Sequence, residues 1–96
     1  MAVSKEELVS KVKNALRIKS KDEGLNQEIV DLIDAAITDL TSSGIKGNLE
    51  DKLYTQAITV YCKALFGFDN PDAERLNESY ISMKHKMMNM ENYREK

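Results

Sequence analysis

The stretch 66-FGFDNPDAERLNESY-80 holds the only proline of the chain, one of its four glycines and three of its six aromatic residues. Gly67 can stop a helix, Asn70 is a strong N-cap residue, and Pro71 suits a first helical position, whose N–H lacks a partner in any case. Asp72 and Glu74 then place negative charge at the positive end of a helix dipole. The stretch reads as the end of one helix, an aromatic corner formed by Phe66 and Phe68, and a new helix starting at Pro71, with Tyr80 on its apolar stripe.

Working outward from that corner, every neighbouring segment has helical spacing. Downstream, Ala73, Leu76, Tyr80, Met83 and Met87 form one stripe, which Ile81, Met88 and Met90 broaden. Upstream, Leu49, Leu53, Ala57, Ile58, Val60, Tyr61, Ala64, Leu65 and Phe68 make a stripe too wide for a helix covered on one side, so this helix should be central. The run Ile58-Thr59-Val60 lowers intrinsic helix propensity, a small cost beside four turns of regular apolar spacing. Ser42 to Asn48 contains two glycines and small polar residues, a loop in which Gly44 can take the left-handed C-cap position. Before it, Leu25, Ile29, Leu32, Ile33, Ala36, Ile37 and Leu40 share one side of a long helix, which the box Ser20-Lys21-Asp22-Glu23 can start. Ser4-Lys5-Glu6-Glu7 is a second capping box, followed by the stripe Leu8, Val12, Ala15 and Leu16. The expectation is an all-α fold, one domain over 1–96, with four helices near 5–16, 22–41, 49–66 and 71–88 and a flexible C-terminal tail over 89–96.

Composition narrows the function. With 31% charged and 42% hydrophobic residues, the chain is apolar enough to fold. The single cysteine, Cys62, excludes an internal disulfide and a Cys-pair zinc site; with no N-terminal apolar run, this points to an unexported, intracellular chain. No segment approaches the roughly 18 consecutive apolar residues of a membrane helix. A net charge of -2 supplies no general attraction for nucleic acid. The charge is sorted along the chain, however. Residues 1–21 carry six basic side chains against two acidic ones, and residues 22–50 carry seven acidic side chains against Lys46 alone. Two solvated helix faces attracting each other within one molecule would account for this. The sharper expectation pairs Lys11, Lys13 and Arg17 of one subunit with Asp31, Asp34 and Asp39 of its neighbour in a head-to-tail ring.

The inventory for catalysis is thin. His85, the only histidine, lies between Lys84 and Lys86 near a helix C-terminus, where a cation suits the dipole, and has no acidic or thiol group at ligand spacing. Cys62 falls beside Tyr61 and Leu65 in the central helix, as a buried thiol does, with no base at hand. Glu28, Asp31 and Asp34 form a solvated face rather than an oxygen-rich cation loop. Gly44 and Gly47 match no phosphate-cradling pattern. The long second helix is acidic, which is wrong for a DNA-recognition helix, and no aromatic residue interleaves with the basic first helix to stack bases. The chain reads as a non-enzyme with no catalytic residue, metal or cofactor.

Val60-Tyr61-Cys62-Lys63-Ala64 running into Phe66-Gly67-Phe68-Asp69-Asn70-Pro71-Asp72-Ala73-Glu74-Arg75 and then Ser79-Tyr80 resembles the phage head–tail connector family, the head-completion adaptors also called DNA-packaging proteins, in the form found in phages and prophages of Gram-positive bacteria. Leu16-Arg17-Ile18, the acidic connector Lys21-Asp22-Glu23 and Ile29-Val30-Asp31-Leu32-Ile33 add to the likeness, which spans residues 4–88. The resemblance implies a structural virion protein at the head–tail interface, present in the host cytoplasm during assembly. It implies subunits forming a ring of about twelve below the portal. Tail or stopper proteins would attach beneath, and DNA would pass through without sequence-specific binding. On this reading the end of the fourth helix and the tail, through Met83, Met87, Met88, Met90 and Tyr93, should dock on the portal or an adjacent subunit. The alternative from another class is a small helical regulatory module binding a host protein or nucleic acid.

Overall fold

The computed structural model describes residues 5–16, 23–66 and 71–93. The chain is all-α: α1 (Lys5–Ala15), α2 (Glu23–Ser42), α3 (Lys52–Leu65), α4 (Ala73–Met88) and a closing 3₁₀ turn, Glu91–Tyr93. Among the described residues there is no β-strand. Both proposed capping boxes fall wholly or partly outside the described residues, as do Arg17, Gly67, Phe68 and Asn70.

α3 is the central element and packs against each of the other three helices, most extensively against α4. Eight of its 14 residues are buried, which is why its stripe is broader than one face. Two of the eight are Thr55 and Thr59, whose hydroxyls donate to the carbonyls of Asp51 (3.0 Å) and Thr55 (2.8 Å) one turn earlier. That local bonding satisfies them in an apolar setting. Leu8, Val12, Ile29, Ile33, Ala36, Leu40 and Ile58 are fully buried around α3. Each of the larger aliphatic side chains contributes about 1.5–3 kcal/mol of hydrophobic stabilisation.

α2 ends as its glycine predicts. Gly44 has φ +82°, its N–H donates to the Thr41 carbonyl (3.0 Å), and the Ile45 N–H reaches back to Leu40 (3.0 Å). This is a Schellman motif, completed by the apolar contact of buried Ile45 with the end of the helix. Two boundaries differ from the sequence reading. α3 starts at Lys52 rather than at 49, because Asn48 to Asp51 forms a turn and Asp51 caps the helix, accepting from the N–H groups of Leu53 (2.9 Å) and Tyr54 (3.2 Å). α4 starts at Ala73 rather than at Pro71. Its cap position is Asp72, which makes no side-chain cap bond and instead pairs with Arg75 (3.2 Å).

The end of the chain also departs from expectation. Residues 89–93 do not extend freely: Met90 packs on the core, Tyr93 is buried, and the Lys46 N–H donates to the Tyr93 carbonyl (2.6 Å). The cause is the aromatic ring, which finds an apolar seat and a polar partner beneath the loop after α2. Residues 94–96 lie outside the described residues.

Candidate interaction surface

Two polar ties lock the helices whose outer faces form the surface. The first joins α4 to α2. The Tyr80 hydroxyl donates to the Asp39 carboxylate, and Lys84 Nζ lies 3.1 Å from the same oxygen and 5.5 Å from the centre of the Tyr80 ring. Tyr80 also meets Tyr61 of α3 edge-on, with ring centroids 5.1 Å apart. The Tyr80 hydrogen bond and the nearby Lys84 ammonium hold the Asp39 carboxyl below its ordinary range, against the opposing effect of burial. Burial and the Asp39 charge together push the Tyr80 hydroxyl strongly upward, so it stays a donor. The second tie joins the C-terminal turn to α3: one Asp51 oxygen caps the helix and the other accepts from the Tyr93 hydroxyl.

The residues expected to contact partners are distributed differently from the sequence reading. Met87 is fully buried, Tyr93 is 4% exposed, and Met83 and Met90 are half-buried against the core; only Met88 is exposed, at 41%. Met87 and Tyr93 are therefore core residues of the free subunit. Deleting the end of the chain would remove core as well as surface.

Among the charged residues, Lys11 is exposed, Lys13 is half-buried, and Arg17 lies outside the described residues. Asp34 pairs with Lys5 of α1 within the same chain, Asp39 is held by Tyr80 and Lys84, and Asp31 accepts from Gln27 (2.9 Å). Lys5 of the basic first helix thus pairs within its own subunit, and two of the three acidic residues already have charged partners. At the corner, Phe66 packs on the core, Pro71 is exposed in a turn and Tyr80 is buried.

Asp51 and Gly47 were missed by the sequence reading. An Asp just before the periodic segment starting at Leu53 is a readable N-cap signal, but its tie to Tyr93, 42 residues on, has no local signal. Gly47 matters because the Tyr54 ring lies where its Cβ would be. Beside it, Ile37, Thr41, Ile45, Lys46, Gly47 and Tyr54 line an open cavity of about 290 Å³. Burial pushes the Cys62 thiol up to about 12. Among the described residues no group of three or more His, Cys, Asp or Glu side chains could hold a metal ion, and no helix is long and apolar enough to cross a membrane.

The described residues form a helical subunit whose helices are cross-braced by Tyr80, Lys84 and Asp39 and by Tyr93 and Asp51. The chain belongs to the family described as phage connector protein, whose model matches residues 8–94. Comparison with curated proteins and with solved structures returns no match. Membership defines a structural, non-enzymatic kind of phage protein that connects parts of the particle, which suggests a location in the virion.

Proposed function

We propose that this chain is the adaptor of a phage head–tail interface, assembling head to tail into a ring below the portal and carrying the tail or stopper proteins beneath it. The observation that carries the reading is the family match over nearly the whole chain. The surface supports it: a long helix, α2, carries carboxylates and no lysine or arginine, which suits both a charge-matched neighbour and a channel that DNA traverses without adhering. The subunit would act in the virion after assembling in the host cytoplasm, with about twelve copies in the ring.

The test is electron microscopy and native mass spectrometry of the protein alone and mixed with its portal. Closed rings, alone or seated on the portal, are expected, with no retention of duplex DNA at physiological salt. A chain that remains monomeric in both preparations and does not bind the portal overturns the reading.

A further inference from the structure

Three large apolar side chains face water, Leu65, Ile81 and Met88, and only Ile81 has carboxylates on its own helical face within two turns. Glu78 and Glu74 precede it by three and seven residues, about 60° and 20° around α4, so one docked face meets all three. Both glutamates are exposed, and neither has a basic partner among the described residues. The other flank of the subunit carries the complement. Ile37 and Thr41 stand two positions either side of Asp39, the residue of α2 that reaches α4, and so point about 160° away from it. With Ile45, Gly47 and Tyr54 they wall the open cavity of about 290 Å³, and Lys46 is the only charged group among its described lining residues. Lys46 is exposed and has no acidic partner among the described residues. The cavity is smaller than the about 300–1,000 Å³ of small-molecule sites and suits a single branched side chain. Its wall is fixed, because the Gly44 turn seats Ile45, the Lys46 N–H is bonded to the Tyr93 carbonyl, and the Tyr54 ring fills the space beside Gly47.

We propose that Ile81 of one copy of the chain enters this cavity on a second copy, with Glu78 opposite Lys46. Burial of the isoleucine against Ile37, Ile45 and Tyr54 supplies the attraction, and the charge pair sets the register. Charge also selects the pairing. Two α4 ridges placed together would set Glu78 against Glu78, and two cavities would set Lys46 against Lys46, both repulsive, whereas ridge against cavity is attractive. Because the cavity faces away from α4, a copy whose cavity is filled still presents its own Ile81. Such a contact is heterologous and propagates until it closes. The proposal rests on the ring reading above and names its interface.

The test reads self-association of the full chain, alone and with its portal, by sedimentation velocity and native mass spectrometry. Lys46→Glu, Glu78→Lys and Ile81→Ser should each weaken association severalfold. The double variant Lys46→Glu with Glu78→Lys should recover most of the wild-type association, as should an equal mixture of the two single variants. All three side chains are exposed, and circular dichroism and urea midpoints check that each variant folds. Association indifferent to the three single changes, or a double variant no stronger than the singles, overturns the interface. Rings that persist in every variant overturn this interface and leave the ring reading standing; no association of the wild type in either preparation overturns both. Portal binding lost on Lys46→Glu with self-association unchanged would assign the cavity to the portal and overturn the proposal.

Discussion

The Tyr93 hydroxyl donates to the carboxylate of Asp51, the same group that caps α3, so a single side chain holds both the start of the central helix and the end of the chain. Asp51→Ala should destabilise the fold by about 1–3 kcal/mol through loss of the cap and of the tie. Tyr93→Phe, which keeps the ring in its seat, should cost about 1 kcal/mol. Because the two share one interaction, the double variant should lose less than the sum. Urea unfolding of the four proteins measures this; strict additivity would show that the tie carries no energy.

At Gly47 an added methyl group meets the Tyr54 ring, whereas at Gly44 it meets open space but must adopt φ +82°. Two different costs follow. Gly47→Ala must displace a buried aromatic residue and should cost about 1–3 kcal/mol by overpacking. Gly44→Ala pays only the left-handed backbone, about 1 kcal/mol. Thermal melts of the two variants should rank them in that order, and equal melting temperatures would contradict the close approach.

The Asp39 carboxyl titrates below its ordinary value of 3.8, chiefly because of the Tyr80 hydrogen bond. A depressed folded pKa means that the stabilisation is complete above 3.8 and is lost as pH falls through the lower folded value. Asp39→Asn should therefore flatten the acid side of the stability profile below about pH 4 while lowering the plateau at neutral pH. Urea midpoints taken at intervals from neutral pH into the acid range provide the comparison with wild type. Tyr93 works at the other end. Burial, with help from Asp51, pushes its hydroxyl from 10.0 up to about 12, so its contribution is complete below 10.0 and is lost as pH rises through about 12.

Cys62 is fully buried and its thiol is pushed up to about 12, so the reactive thiolate is scarce and shielded. Native protein should resist a thiol reagent such as dithionitrobenzoate over many minutes at neutral pH. Labelling should rise with the urea unfolding curve. Rapid stoichiometric labelling of the native chain would show that α3 opens locally far below its global stability.

The helices and their order were legible because apolar spacing of three and four residues is a property of the chain read locally. Leu25 to Leu40 and Ala73 to Met87 pattern as helices whatever they pack against, and Gly44 announces its left-handed turn because few other residues take that conformation readily. The same periodicity cannot say which apolar residue meets core and which meets water. Spacing set Met83 and Met87 on one stripe with Met88 and Met90 beside it, but only the angle at which α4 lies on α3 decides how deeply each is buried, Met87 fully and Met88 41% exposed. Charge blocks were equally visible, but pairing needs distance. Folding brought Lys5 to Asp34 and Lys84 to Asp39 within one chain, which left Glu28, Asp31 and Lys86 without such partners among the described residues. Sequence alone determined the class of fold, through interactions a few residues long. Tertiary structure decided the surface, since the hydrogen bond from Tyr93 to Asp51 and the ion pair between Lys84 and Asp39 join groups that are forty or more positions apart.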